Sequence, residues 1–189
     1  MRVIPGDAAA RLGRPEQAAK FYKSEANRGG AGAALHLGQL IDQRQVSAAT
    51  YGSALTWFRE ACKLGSMQAC HNVGVAYEYG THGLSKDYVQ AQAYYFKAAA
   101  TGYMLSQYNL GSLYANNHIV PPNDVEGLKW VMLRQMSATR DPVQPLSRWV
   151  LQDLPDHKRR LEMRLSDVQL WEARKLAEEW QPTGSGADR

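Results

Sequence analysis

Small and ring-bearing positions recur along the chain at a nearly fixed interval. Ala18, Ala54, Ala91 and Gly127 are separated by 36, 37 and 36 residues, and each is followed three positions later by Phe21, Trp57, Tyr94 or Trp130. A further ring follows at Tyr22, Phe58 and Tyr95. A second series, Gly38, Gly74 and Gly111, keeps the same spacing; Leu37, Val73 or Leu110 precedes it, and Ile41, Tyr77 or Tyr114 follows three residues on. A period of this length marks a stacked repeat. Each unit holds two short segments of helical apolar period. In one, Ala54, Trp57 and Ala61, or Ala91, Tyr94 and Ala98, form a single apolar stripe. In the other, a glycine inside a helix costs about 1 kcal/mol relative to alanine, so its recurrence predicts close backbone packing against a partner helix. Gly29, Gly65 and Gly102 are placed as helix stops, where glycine tolerates the left-handed conformation. The recurring rings read as core.

Val73-Gly74-Val75-Ala76-Tyr77, Gly80, Gly83-Leu84, Asp87, Ala91, Tyr94-Tyr95-Phe96-Lys97-Ala98-Ala99 and Gly102 together resemble the Sel1-like repeat, a relative of the tetratricopeptide repeat. The resemblance covers residues 15–138 as about three units. It implies an all-α, right-handed αα-solenoid closed by a C-terminal helical cap. The turn Gly80-Thr81-His82-Gly83-Leu84 is one residue longer than the family's. In the third unit Asn117, Ile119, Val120 and Asn123 stand where the family has Gly, Gly, Val and Asp. The first unit replaces the turn with Gln43 to Tyr51 and has Thr50 at the Asp position.

Pro142 and Pro145 break the repeat, and residues 139–182 read as capping helices. Segments 146–151 and 158–165 are expected to be helical, interrupted or kinked near Pro155. Ser166 with Gln169 forms a capping-box start for a helix from Asp167 to Trp180, its apolar stripe being Leu170, Ala173 and Leu176-Ala177. The charged Glu172, Arg174, Lys175, Glu178 and Glu179 are expected to keep the outer face of this cap soluble. Residues 183–189 read as a frayed tail. At the other end, the repeat glycine of the first unit would fall at position 2, so residues 1–14 read as an improvised cap or as a repeat truncated within a longer protein.

With 189 residues, 44% of them hydrophobic and 21% charged, the chain can bury one sizeable core. Ala98 to Pro122 carries no charge but is broken by glycines, asparagines and prolines, so no membrane insertion is expected. The start as written has no signal-peptide pattern. A removed signal would place the chain in the periplasm or outside the cell, and an unprocessed start in the cytoplasm. The net charge of +4 is spread thinly, and Lys158-Arg159-Arg160 is flanked by Asp156 and Glu162. No nucleic-acid partner is therefore expected.

Candidate chemistry is sparse. No phosphate-loop, nucleophile-elbow or His-Glu-x-x-His motif occurs, and His36, His71, His82, His118 and His157 have no ligand at a recognised metal spacing. No cofactor, metal or catalytic residue is expected. Cys62 and Cys70 lie eight residues apart across the turn between two units, at positions equivalent to Ala26 and Ala34 or Ala99 and Gln107. This spacing resembles that of cysteine-rich Sel1-like proteins, where such pairs form disulfides; two buried thiols remain the other reading. A bond would imply an oxidising compartment.

By analogy with tetratricopeptide arrays, a second stripe on the first helix of each unit lines the concave surface. It runs through Gln39, Asp42 and Gln43, then His71, Val75, Glu78 and Tyr79, then Tyr108, Ser112, Ala115 and Asn116. Tyrosine with mixed polar groups suits protein recognition. The resemblance implies a non-enzymatic scaffold or adaptor holding a protein or peptide partner there. Envelope scaffolds and toxin-neutralising immunity proteins are among such proteins. Some cysteine-rich relatives are described as β-lactamase-like or penicillin-binding, but this sequence lacks both Ser-x-x-Lys and Lys-Thr-Gly. A purely structural segment of a longer repeat protein is the third reading.

Overall fold

The computed structural model describes residues 5–118, 122–140 and 148–183, which form α-helices and no strand. They fall into two compact units, Met1–Asp87 and Tyr88–Arg189. The first holds α1 (Pro5–Arg11), α2 (Pro15–Ala26), α3 (Ala31–Asp42), α4 (Ala48–Tyr51), α5 (Ala54–Lys63) and α6 (Met67–Tyr79). The second holds α7 (Tyr88–Ala99), α8 (Met104–Ala115), α9 (Asp124–Arg140), α10 (Arg148–Glu162) and α11 (Asp167–Glu178). Within each unit, helices joined by short turns pack in succession: α1 on α2, α2 on α3, α3 on α5 and α5 on α6, then α7 on α8 and α8 on α9. These are the helical hairpins of an αα-solenoid.

Three of these pairs, α1 with α2, α3 with α5 and α8 with α9, are set by a side chain entering a place where there is no Cβ. A Cβ on Gly38 would stand 2.7 Å from Phe58 Cδ1, and one on Gly111 would stand 2.6 Å from Val131 Cγ2. Gly127 receives Tyr114 in the same way. At Gly6, Gly38 and Gly111 the residue that enters, Tyr22, Phe58 or Val131, lies four positions after the small residue of the second helix. Tyr22, Phe58, Tyr95 and Val131 are all buried, whereas the first ring series is mixed: Phe21 is 39% exposed, Trp57 and Tyr94 are half-buried and Trp130 is buried. One helical residue turns by about 100°, enough to move a ring from the seam to its edge.

The turns follow from local chemistry. Gly29, Gly65 and Gly102 adopt φ of 88°, 96° and 94°, the left-handed stops expected of them. The turn after the first helix of each repeat makes the same demand at Arg44 (φ 57°), Gly80 (φ 66°) and Asn117 (φ 56°), which occupy equivalent repeat positions. Only one of them is a glycine. Ser47, Ser53, Ser66 and Ser166 cap helix starts by accepting from backbone N–H groups, and Ser166 with Gln169 completes the capping box. The long turn after α3 is anchored by Val46 and Tyr51, both buried, and the Tyr51 hydroxyl donates to Glu16 Oε2 at 2.9 Å.

Two differences from expectation stand out. Pro155 lies inside a continuous α10 rather than interrupting it. It is on the exposed side while Leu154 and Leu161 are buried, so its ring stays out of the core. At the N-terminus, α1 packs on α2. Its Gly6 lies one turn beyond the position counted from the repeat and takes the Tyr22 ring 2.5 Å from where a Cβ would be. The prolines Pro142 and Pro145, the turn residues Ile119 and Val120, and tail residues 184–189 lie outside the described residues. Thr183 is tied down, its N–H donating to Ala100 O at 2.7 Å.

Cys62 on α5 and Cys70 on α6 are joined, with their Cα atoms 4.7 Å apart and a sequence separation of eight. Reducing this bond, or replacing both cysteines with alanine, is expected to lower the unfolding free energy by about 2.5 kcal/mol from loop closure, read from urea unfolding with and without reductant. Gly38→Ala should lower stability by roughly 1–3 kcal/mol through overpacking against Phe58. Gly32→Ala, at a helical glycine with nothing within 4 Å, should raise it by up to about 1 kcal/mol. Urea midpoints of the two variants check this, and a loss of similar size in both would contradict the packing.

Candidate binding face

In the first unit the stripe lies on two helices, α3 with the residue after it, and α6. Gln39 is half-buried, and its Oε1 is 3.1 Å from His36 Nδ1. Asp42 and Gln43 are exposed at the end of α3, where Gln43 Oε1 accepts from Gln45 Nε2 at 3.0 Å. Asp42 Oδ1 lies 2.8 Å from His82 Nε2, so the turn after α6 is joined to the end of α3. His82 holds this place with φ 57° and with its ring 6.3 Å from that of Phe58. On α6, His71, Val75 and Glu78 are half-buried and Tyr79 is 62% exposed. Burial pushes the His71 imidazole down to about 4, so at neutral pH it is an uncharged hydrogen-bonding ring. The stripe in this unit thus combines amides, a neutral imidazole, two carboxylates and one open tyrosine, with no Lys or Arg.

The second unit differs from the open stripe expected there. Tyr108 is only 6% exposed, because α10 lies over α8. Its hydroxyl donates to Asp153 Oδ2 at 3.4 Å and its ring sits 5.5 Å from the His157 ring. Asn116 Nδ2 donates to Ser112 Oγ at 3.2 Å, and Asn116 Oδ1 accepts from Arg160 Nη1. Ala115 is buried. Arg164 closes the end of α8: Nε and Nη2 donate to the Asp124 carboxylate at 3.0 and 2.8 Å, and Nη1 and Nη2 donate to the carbonyls of Ala115 and Tyr114. His157 is held below its usual range by burial and by Arg160, against the opposite pull of Asp153 and Asp156.

The residues missed by sequence reasoning are His82, Asp153, His157, Arg160 and Arg164. Each meets a partner 40 or more residues away, and such distances leave no trace in local periodicity. Among the described residues no cluster of three or more His, Cys, Asp or Glu side chains is placed to hold a metal ion. No helix among them is long and apolar enough to cross a membrane.

The Sel1 repeat matches this chain at residues 33–66, 68–103 and 105–131, just over half of it. The chain is similar to a protective antigen present in uropathogenic Escherichia coli strains displaying an SLR fold. That structure is 28% identical and superimposes with a TM-score of 0.67 over 87% of this chain and 32% of its own. It is also similar in fold to a Sel1 repeat protein from Oxalobacter formigenes, 22% identical, with a TM-score of 0.59 over 89% of this chain and 65% of that one. The chain therefore spans about a third of the first relative's length and just under two thirds of the second's. No curated protein sequence matches.

The depressed pKa of His71 has a consequence for stability. The unfolded chain takes up this proton near the ordinary value of 6.5 and the folded chain only near 4. The stability contributed by the neutral His71 should therefore fall as pH drops through that window and level off below it. His71→Gln is expected to reduce the difference between urea midpoints measured at about pH 7 and about pH 4.5. An undiminished difference would contradict the burial of this ring.

Proposed function

Because the chain belongs to the Sel1 repeat family, we propose that it is a binding scaffold. It holds another protein or an extended peptide on the first-helix faces of its repeats and contributes no bond chemistry of its own. The observation that carries this reading is Tyr79, 62% exposed on a capped helix beside the half-buried His71, Val75 and Glu78. A large amphipathic ring fixed on a rigid element gives contact area at little cost in conformational entropy. On the α3 side of the same unit, Gln39 and Gln43 carry side-chain amides suited to a peptide backbone. The acidic Asp42 and Glu78, without Lys or Arg, disfavour phosphate and hence nucleic acid.

The finer readings, an envelope scaffold or a toxin-neutralising immunity protein, draw their support from the Cys62–Cys70 pair, which fits an oxidising compartment. In the second unit α10 covers Tyr108, so the proposed face rests on α3 and α6.

Affinity capture with the disulfide-bonded chain from extracts of its own source, followed by calorimetric titration of the captured partner, tests the proposal. Tyr79→Ala should weaken binding at least tenfold, about 1.4 kcal/mol, while Lys63→Ala, on an exposed position of α5, leaves it unchanged. Equal affinities for the two variants would remove α6 from the site.

A further inference from the structure

The last described helix has a second apolar face. α11 turns Ala173 and Ala177 inward against α9, with Leu170 and Trp180 half-buried beside them. Its opposite side leaves Val168 75% and Trp171 62% exposed, and Leu176, expected within the inner stripe, is exposed as well. Positions 168, 171, 172, 175, 176 and 179 are neighbours on one side of a helix, so Val168, Trp171 and Leu176 share a surface with Glu172, Lys175 and Glu179. A tryptophan and a valine open to water on a helix are out of keeping with the charged outer face of a terminal cap.

We propose that this face binds a second copy of the same chain, the two α11 helices packing antiparallel about a two-fold axis that passes between positions 173 and 174. Charge selects this arrangement. Antiparallel pairing in that register sets Lys175 of each copy opposite Glu172 of the other, and Trp171 opposite Leu176. Parallel pairing would set Lys175 against Lys175 and Glu172 against Glu172. The interface is then self-complementary, as two-fold symmetry requires, with a tryptophan near its centre. Within one chain Lys175 lies 5.2 Å from the centre of the Trp171 ring and 3.9 Å from Glu179 Oε1. Both contacts are solvent-exposed and weak, so they leave the ammonium able to take a better partner. One helix face is a small interface, which places dissociation of the dimer at roughly tens of micromolar.

Sedimentation velocity of the full chain over about 1–500 μM covers that range. The wild-type chain should pass from monomer to dimer, and Trp171→Asp should remain monomeric throughout. Lys175→Glu should weaken association at least tenfold, and the double reversal Glu172→Lys with Lys175→Glu should restore it. Circular dichroism shows whether each variant keeps its helices; should Trp171→Asp lose them, the charge reversal alone decides the outcome. A wild-type chain that stays monomeric, a folded Trp171→Asp variant that still dimerises, or a double reversal that fails to recover association would each overturn the proposal.

Discussion

A glycine without a Cβ, facing a side chain that fills the vacated space, sets how three pairs of helices in this chain meet. Phe58 enters at Gly38, Val131 at Gly111, Tyr114 at Gly127 and Tyr22 at Gly6. Each helical glycine gives up about 1 kcal/mol of propensity relative to alanine. The burial it permits, about 1.5–3 kcal/mol for a side chain such as Phe58, more than offsets that. The exchange also fixes rotation. With the residue four after the small one pointing into the seam, the remaining positions of each helix have their exposure decided for them.

The rest of the fold follows from that rotation. The left-handed turn residues, glycine at some repeats and Arg44 or Asn117 at others, return the chain so that the next helix can meet the last. Cys62 and Cys70, at the ends of two such helices, come within bonding reach across one turn. On α6, Val73 and Gly74 go inward, which leaves His71, Glu78 and Tyr79 on the other side. The candidate binding face is in this sense the complement of the packing face. Its chemistry is therefore free to differ between repeats without disturbing the seam.

Most of this was legible where the signal is local. The two interleaved series, the glycine stops, the serine-capped start of α11 and the helical pairs are all written in spacings of a few residues. Three things were not. The ring that fills the seam sits one position beyond the stripe read from periodicity, because alanine, tryptophan and tyrosine at adjacent positions satisfy either rotation. Pro155 reads as an interruption or a kink, yet it lies on the exposed side of a continuous α10. Tyr108 reads as a groove residue, but its exposure is decided by α10, through Asp153 and His157, more than 40 residues away. A local pattern says which side of a helix is free; it does not say what a distant segment will lay over it.

The central claim is that the glycine at position 38 is required by the ring of Phe58. A double-mutant cycle of Gly38→Ala and Phe58→Ala, followed by urea unfolding in a stabilising osmolyte so that every member folds, tests it most directly. With Phe58 present, alanine at position 38 should destabilise the protein. With Phe58 removed, the same alanine should stabilise it, by up to about 1 kcal/mol, through helix propensity alone. Destabilisation of equal size in both backgrounds would contradict the account.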